Sequence, residues 1–87
     1  MKPTLFRLSD EYSITQLKLI NSVLKNYKDE AVIAYQSNWY IIIACLDWYV
    51  ASRLRESLSN KHSWNMDIAP GKKNKVRHYI YIQLLRN

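Results

Sequence analysis

The residue types best suited to chemistry lie together near the C-terminus. Lys72, Lys73, Lys75 and Arg77 lead into Tyr79 and Tyr81, and no acidic residue occurs after Asp67. Cations neutralise phosphates, and aromatic rings accept stacked bases at roughly 1–3 kcal/mol each, so this combination is a footprint of nucleic-acid recognition by an open sheet. The spacing assigns the roles: Lys72, Lys73, Lys75 and Arg77 to phosphate, Tyr79 and Tyr81 to stacking. DNA and RNA are equally compatible with these residues. The glycine–aromatic signatures of RNP-type motifs are absent, and the bland counterpart is a solvated lysine turn beside tyrosines covered by a terminus or a second copy of the chain.

A second group points to a protein partner. Trp48, Tyr49, Arg53 and Arg55 fall close together, and Trp, Tyr and Arg are the types most enriched at interface hot spots. With Trp39 and Tyr40 they exceed what one narrow apolar stripe needs, although in a small domain each single aromatic is expected to serve the core. An acidic protein surface would be steered by the basic tail. Dimerisation through the open sheet face or an edge strand would use the same residues.

Catalysis and cofactors find little to work with. The single Gly removes phosphate-cradling loops, dinucleotide fingerprints and nucleophile elbows, each of which needs several glycines. His62 falls in a connector, and His78 has the parity of an interior residue, so alternation separates it from Arg77 and Tyr79 and argues against a shared ribonuclease-like site. One Cys and two His have no metal-ligand spacing. The expectation is a non-enzymatic protein with no catalytic residues, no metal and no cofactor.

The elements that must position these groups follow from periodicity. The 87 residues make one small α+β domain, 1–87, with 48% hydrophobic residues to fill a core and no repeat or linker. Thr4–Leu8 is a short β-compatible run. Ser9-Asp10-Glu11, or Ser13 with Gln16 as a capping box, starts a helix carrying Leu17, Ile20, Leu24 and Tyr27 on one stripe to about Lys28. Ala31–Tyr35 and Trp39–Leu46 form a hairpin across Gln36-Ser37-Asn38, with Asn38 suited to a left-handed turn. Asp47 caps a second helix with Leu46, Val50, Leu54 and Leu58 every four residues, ending near a left-handed Asn60. Trp64, Met66 and Ile68 alternate into Ala69-Pro70-Gly71-Lys72, read as a type II turn with positive φ at Gly71. From Lys75 onward, Val76, His78, Ile80, Ile82 and Leu84 share one face, and Lys75, Arg77, Tyr79, Tyr81 and Gln83 the other. The order (β)αββαββ predicts a two-layer sandwich, two helices on one face of a four- to five-stranded antiparallel sheet, related to ferredoxin-like folds.

Charge and compartment complete the reading. Of the net +6, +5 lies in residues 45–87, a directional field that favours phosphate or acidic partners. The lone Cys45 sits in an apolar run, where a thiol behaves as a small hydrophobe, and it fits a reducing compartment. The longest wholly apolar run, Trp39–Leu46, is far short of the ~20 residues a membrane span needs. No signal-peptide pattern opens the chain, so a cytoplasmic protein is expected, or a nuclear one in a eukaryotic host. The richness in Asn, Lys, Ile and Tyr resembles small accessory proteins of AT-rich mobile elements or viruses, which implies occlusion of a nucleic-acid or protein surface.

Overall fold

A computed structural model describes residues 11–60 and 63–85. Helix α1 spans Glu11–Leu24, a short 3-10 turn spans Lys28–Glu30, and strands β1 (Ala31–Gln36) and β2 (Tyr40–Cys45) follow. Helix α2 spans Trp48–Ser59, and β3 (Met66–Pro70) and β4 (His78–Gln83) complete the chain. The described order is therefore αββαββ; the expected strand at Thr4–Leu8 and the connector residue His62 lie outside the described residues. The four strands make one antiparallel sheet in the order β1-β2-β4-β3. Strands β2 and β3 run parallel with β4 between them, and α2 provides the long crossover that such a pair requires.

One face of the sheet meets both helices. Ile41, Ile43 and Cys45 of β2, Ile80 and Ile82 of β4 and Met66 of β3 share a core with Ile20 of α1 and with Val50, Ala51, Leu54 and Leu58 of α2. These strand positions alternate, which is how one face of a pleated strand is buried. The expected α2 stripe holds from Val50 to Leu58, but Leu46 is exposed because it precedes the helix, whose first residue is Trp48. Asp47 caps α2 as its type predicts: its carboxylate accepts from the Val50 N–H at 2.9 Å. Asn60 ends the helix with φ −60°, in the right-handed region.

Three other local expectations are corrected. Helix α1 stops at Leu24, and the chain turns into β1 through Lys28 at φ 50°, the one positive-φ position among the described residues. Ser37, rather than a left-handed Asn38, organises the first hairpin: its hydroxyl oxygen accepts from the Trp39 and Tyr40 N–H groups, and its own N–H donates to the Tyr40 carbonyl. Ser13 and Gln16 are no capping box. Both are fully buried one turn inside α1, where they reach the chain beyond β4. Gln16 Nε2 donates to the Gln83 carbonyl at 3.0 Å, Gln16 Oε1 accepts from the Leu85 N–H at 2.8 Å, and the Ser13 hydroxyl donates to the Leu85 carbonyl. Strand β3 begins only at Met66, so these side chains serve backbone groups that have outrun their strand partner.

Candidate functional site

Among the described residues no helix covers the second sheet face. Register places its residues on a grid. In one row Tyr40 of β2, Gln83 of β4 and Asn65, the residue before β3, lie side by side; in the next, Tyr35, Ile42, Tyr81 and Asp67; in the third, Val32, Ala44, Tyr79 and Ala69. Tyr35, Tyr40 and Tyr81 remain 44, 40 and 39% exposed, and Tyr79 is half-buried. The rings form a chain across three strands, with centroids 6.2 Å apart for Tyr35–Tyr40 and 6.4 Å for Tyr40–Tyr81, within the range of tilted aromatic pairs. The expected orientation of Tyr79, Tyr81 and Gln83 away from the helices is thus observed.

Tyr35 and Tyr40 extend this row, and sequence parity hides Tyr35. Counting by twos from Ile33, an inward residue, sends Tyr35 inward as well. The register shifts between Ile33 and Tyr35, so that Tyr35 pairs with Ile42 on the open face. An extra residue in one strand inverts the alternation beyond it; the broken alternation of Ala31–Tyr35 was its only trace in the sequence.

The cations sit differently from the expected pattern. Strand β4 begins at His78, so Lys75 and Arg77 belong to the preceding loop and not to the tyrosine face, and Val76 is 66% exposed rather than interior. The cause is Asn74. Its side-chain oxygen accepts from the Val76 N–H at 3.0 Å and the Arg77 N–H at 3.3 Å, and an asparagine that captures backbone donors in this way holds the chain in a turn instead of a strand. The loop closes where the Gly71 N–H donates to the Arg77 carbonyl at 2.7 Å. Gly71 does not adopt positive φ. Its lack of a side chain matters for another reason: a Cβ there would lie 2.4 Å from the Asn74 carbonyl oxygen and 3.2 Å from Tyr79 Cε1. The result is a folded loop that displays Lys72, Lys73, Lys75 and Arg77, all exposed. His78, half-buried at its base, donates from Nδ1 to the Val76 carbonyl at 2.8 Å, since a carbonyl can only accept.

The loop shares one end of the sheet with the start of α2. Cys45 pairs with His78, so Leu46 to Tyr49 leave the sheet beside the point where residues 71–77 enter it. Trp48 is 58% and Tyr49 61% exposed, Arg53 and Arg55 are exposed, and the Arg53 guanidinium lies 5.5 Å from the centre of the Tyr49 ring. The expectation that each aromatic serves the core fails widely: none of the described Trp or Tyr residues is fully buried, because isoleucine, leucine and smaller side chains already fill the space between helices and sheet. Cys45 does behave as a buried hydrophobe. Burial, with the Asp47 carboxylate as a lesser cause, pushes its thiol up to about 11, which keeps it protonated and a poor nucleophile at neutral pH.

At the opposite end of β4 lies an open groove of about 900 Å³, lined by Trp39, Tyr40, Tyr81, Asn65, Asp67 and Gln83 among others. Trp39, Asn65 and Asp67 are legible in the sequence only as outward-facing or surplus residues, and no local pattern joins them into a groove. Among the described residues no group of three or more His, Cys, Asp or Glu could hold a metal ion, and no helix is long and apolar enough to cross a membrane. No family model, curated protein or solved structure matches the chain.

Proposed function

We propose that this chain is a small, non-enzymatic nucleic-acid-binding domain that takes single-stranded DNA or RNA along β4. The observation that carries the reading is the open face on which Tyr35, Tyr40 and Tyr81 form an exposed ring row on the sheet whose far end bears four exposed cations. Strand β4 spans roughly 17 Å at about 3.3 Å per residue, enough for a few nucleotides. Phosphates meet Lys72, Lys73, Lys75 and Arg77, and unpaired bases stack on Tyr81 and Tyr40, with Tyr79 as apolar floor between them. Rings on an open sheet favour unpaired bases, since a duplex hides its base faces.

The test is a salt titration of binding to a labelled ten-nucleotide single strand, measured by fluorescence anisotropy with DNA and with RNA. Four phosphate contacts give a log–log slope near −3, at about 0.7 per contact for single strands. Lys72→Ala/Lys73→Ala/Lys75→Ala reduces the slope by about 2, whereas Tyr40→Ala/Tyr81→Ala weakens binding by about 1–3 kcal/mol per ring and leaves the slope alone. A flat salt response, or affinity indifferent to both variants, removes the proposal.

A second reading is favoured by one specific observation, the exposure of Trp48 and Tyr49 beside Arg53 on α2. In this reading the domain binds an acidic protein surface through Trp48, Tyr49, Arg53 and Arg55. A stoichiometric partner that resists nuclease treatment and is lost on Trp48→Ala/Tyr49→Ala would favour it over the first.

A further inference from the structure

The groove at the far end of β4 has chemistry of its own. Its lining includes the rings of Trp39, Tyr40 and Tyr81 and the polar side chains of Asn65, Asp67 and Gln83. Asp67 is the one ionised group among its described lining residues, and it lies directly opposite Tyr81 on the neighbouring strand, where Cβ atoms are about 5 Å apart. A carboxylate repels phosphate and can only accept hydrogen bonds. Among the described residues, the cations next to β4 stand at its other end, so charge divides the strand into a backbone end and an end suited to a neutral group rich in N–H donors.

Asn65 and Gln83 narrow the choice. The Asn65 amide donates from Nδ2 to Gln83 Oε1 at 2.9 Å; with its carbonyl thus engaged, Gln83 presents its –NH₂ to a ligand. The groove therefore offers a pair of acceptor oxygens on Asp67 and a donor on Gln83, both beside the Tyr81 ring. Guanine alone among the common bases carries two adjacent N–H donors, N1–H and N2–H, next to an acceptor, O6. Cytosine and adenine each turn a ring-nitrogen lone pair toward one carboxylate oxygen. Uracil and thymine offer a single N–H between two carbonyls. Paired donors on a carboxylate form the two parallel bonds that make such recognition strong and directional.

We propose that this groove is a guanine pocket, with the base stacked on Tyr81, its N1–H and N2–H on the Asp67 carboxylate and its O6 on the Gln83 amide. The proposal rests on the nucleic-acid reading and names the base that the strand's far end selects. Its test uses labelled eight-nucleotide thymidine strands with the central position unchanged or replaced by a single dG, dC or dA, together with the RNA counterparts in uridine. The single-dG strand binds about tenfold more tightly than the other three. In Asp67→Asn, at an exposed position, that preference falls to within about twofold, while the all-thymidine strand binds at least as tightly as to the wild type because a charge that repels phosphate is gone. In Lys72→Ala/Lys73→Ala/Lys75→Ala all four strands weaken together and the dG preference survives. Equal binding of all four strands, preference for another base, or a dG preference that persists in Asp67→Asn overturns the pocket and leaves the nucleic-acid reading standing. Absence of binding to any strand at low salt overturns both.

Discussion

The two ends of β4 are built on different principles. At the groove end, side chains are placed by strand geometry: Tyr81, Gln83 and their neighbours Asp67, Asn65 and Tyr40 occupy grid positions fixed by register. The grid is secured from α1, where buried Gln16 and Ser13 hold residues 83 and 85. At the basic end, Lys72 to Arg77 are placed by a turn that depends on one missing Cβ and one asparagine oxygen. The first arrangement shares the packing of the core, and the second is closed by contacts of its own at the sheet's end. A site whose aromatic part is stiff and whose cationic part is locally closed can keep its base pocket while its backbone grip is tuned.

The sharpest way to break this contrast is Gln16→Leu. The leucine leaves the Gln83 carbonyl and the Leu85 N–H without their partner, and each part-buried group so stranded costs about 1–2 kcal/mol. We expect a loss of about 3 kcal/mol in denaturant unfolding and faster amide exchange at Leu85, with residues 72–77 unchanged. If the basic loop loosens equally, the two ends are one cooperative unit and the contrast fails. For a domain whose whole stability is of order 5–15 kcal/mol, this is a large fraction.

A comparable effect, read by pH, tests how firmly the core continues to the basic end. Cys45 lies in the core at the β2 position paired with His78. Its native thiol releases its proton near 11, against an ordinary value of 9.0 in the unfolded chain. Between those values the unfolded state sheds the proton first, so native stability is whole below about pH 9 and declines as pH rises toward 11. The decline is at most about 1.4 kcal/mol per pH unit and roughly 2 kcal/mol in all. Unfolding midpoints of the wild type and Cys45→Ala, followed from pH 8 to 11, should converge by about that amount. Parallel curves would mean that solvent reaches this end of the core.

Gly71→Ala comes next. The added Cβ meets the Asn74 carbonyl at 2.4 Å, and that partner is backbone, so the loop must open. Overpacking of this kind costs about 1–3 kcal/mol, and we expect about 2. Strand binding should lose part of its salt slope while any base preference is retained. A variant as stable as the wild type would show that the loop is not closed on Gly71 in solution.

The same contrast explains what could be read in the chain. Alternation in Met66–Ile68 and Ile80–Ile82, the four-residue stripe Val50-Leu54-Leu58 and the Asp47 cap are local patterns, and each is found in the structure. Tyr79 and Tyr81 follow from the same alternation. Gln16 could not be recognised as a buried bridge because its partners lie 67 and 69 positions away, and a Ser-x-x-Gln spacing near a helix start reads as a cap. Alternation extrapolates smoothly back through Lys75 and Arg77 and so puts them on the strand face, while a single side-chain oxygen ends the strand at His78. Proline before glycine suggested a type II turn, but Pro70 instead closes β3 and Gly71 makes room for a neighbour. Pattern reached the elements that regular geometry builds, and missed those built by one contact.

Asn74→Ala isolates the smallest of these contacts. It removes the acceptor for the Val76 and Arg77 N–H groups at an exposed site, where water replaces it, so the expected loss of stability is only about 0.5–1 kcal/mol. The informative readout is local. Without the turn, residues 75–77 are released to extend β4 backward, which would bring Lys75 and Arg77 onto the parity of Tyr79 and Tyr81 and Val76 onto that of Ile80. Backbone chemical shifts of 75–77 should move toward strand values, with Val76 losing solvent exposure and no change at Gln83 or Leu85. Shifts that stay at their wild-type values would mean that the Gly71–Arg77 bond alone fixes the loop, and the asparagine would then contribute nothing to where the cations stand.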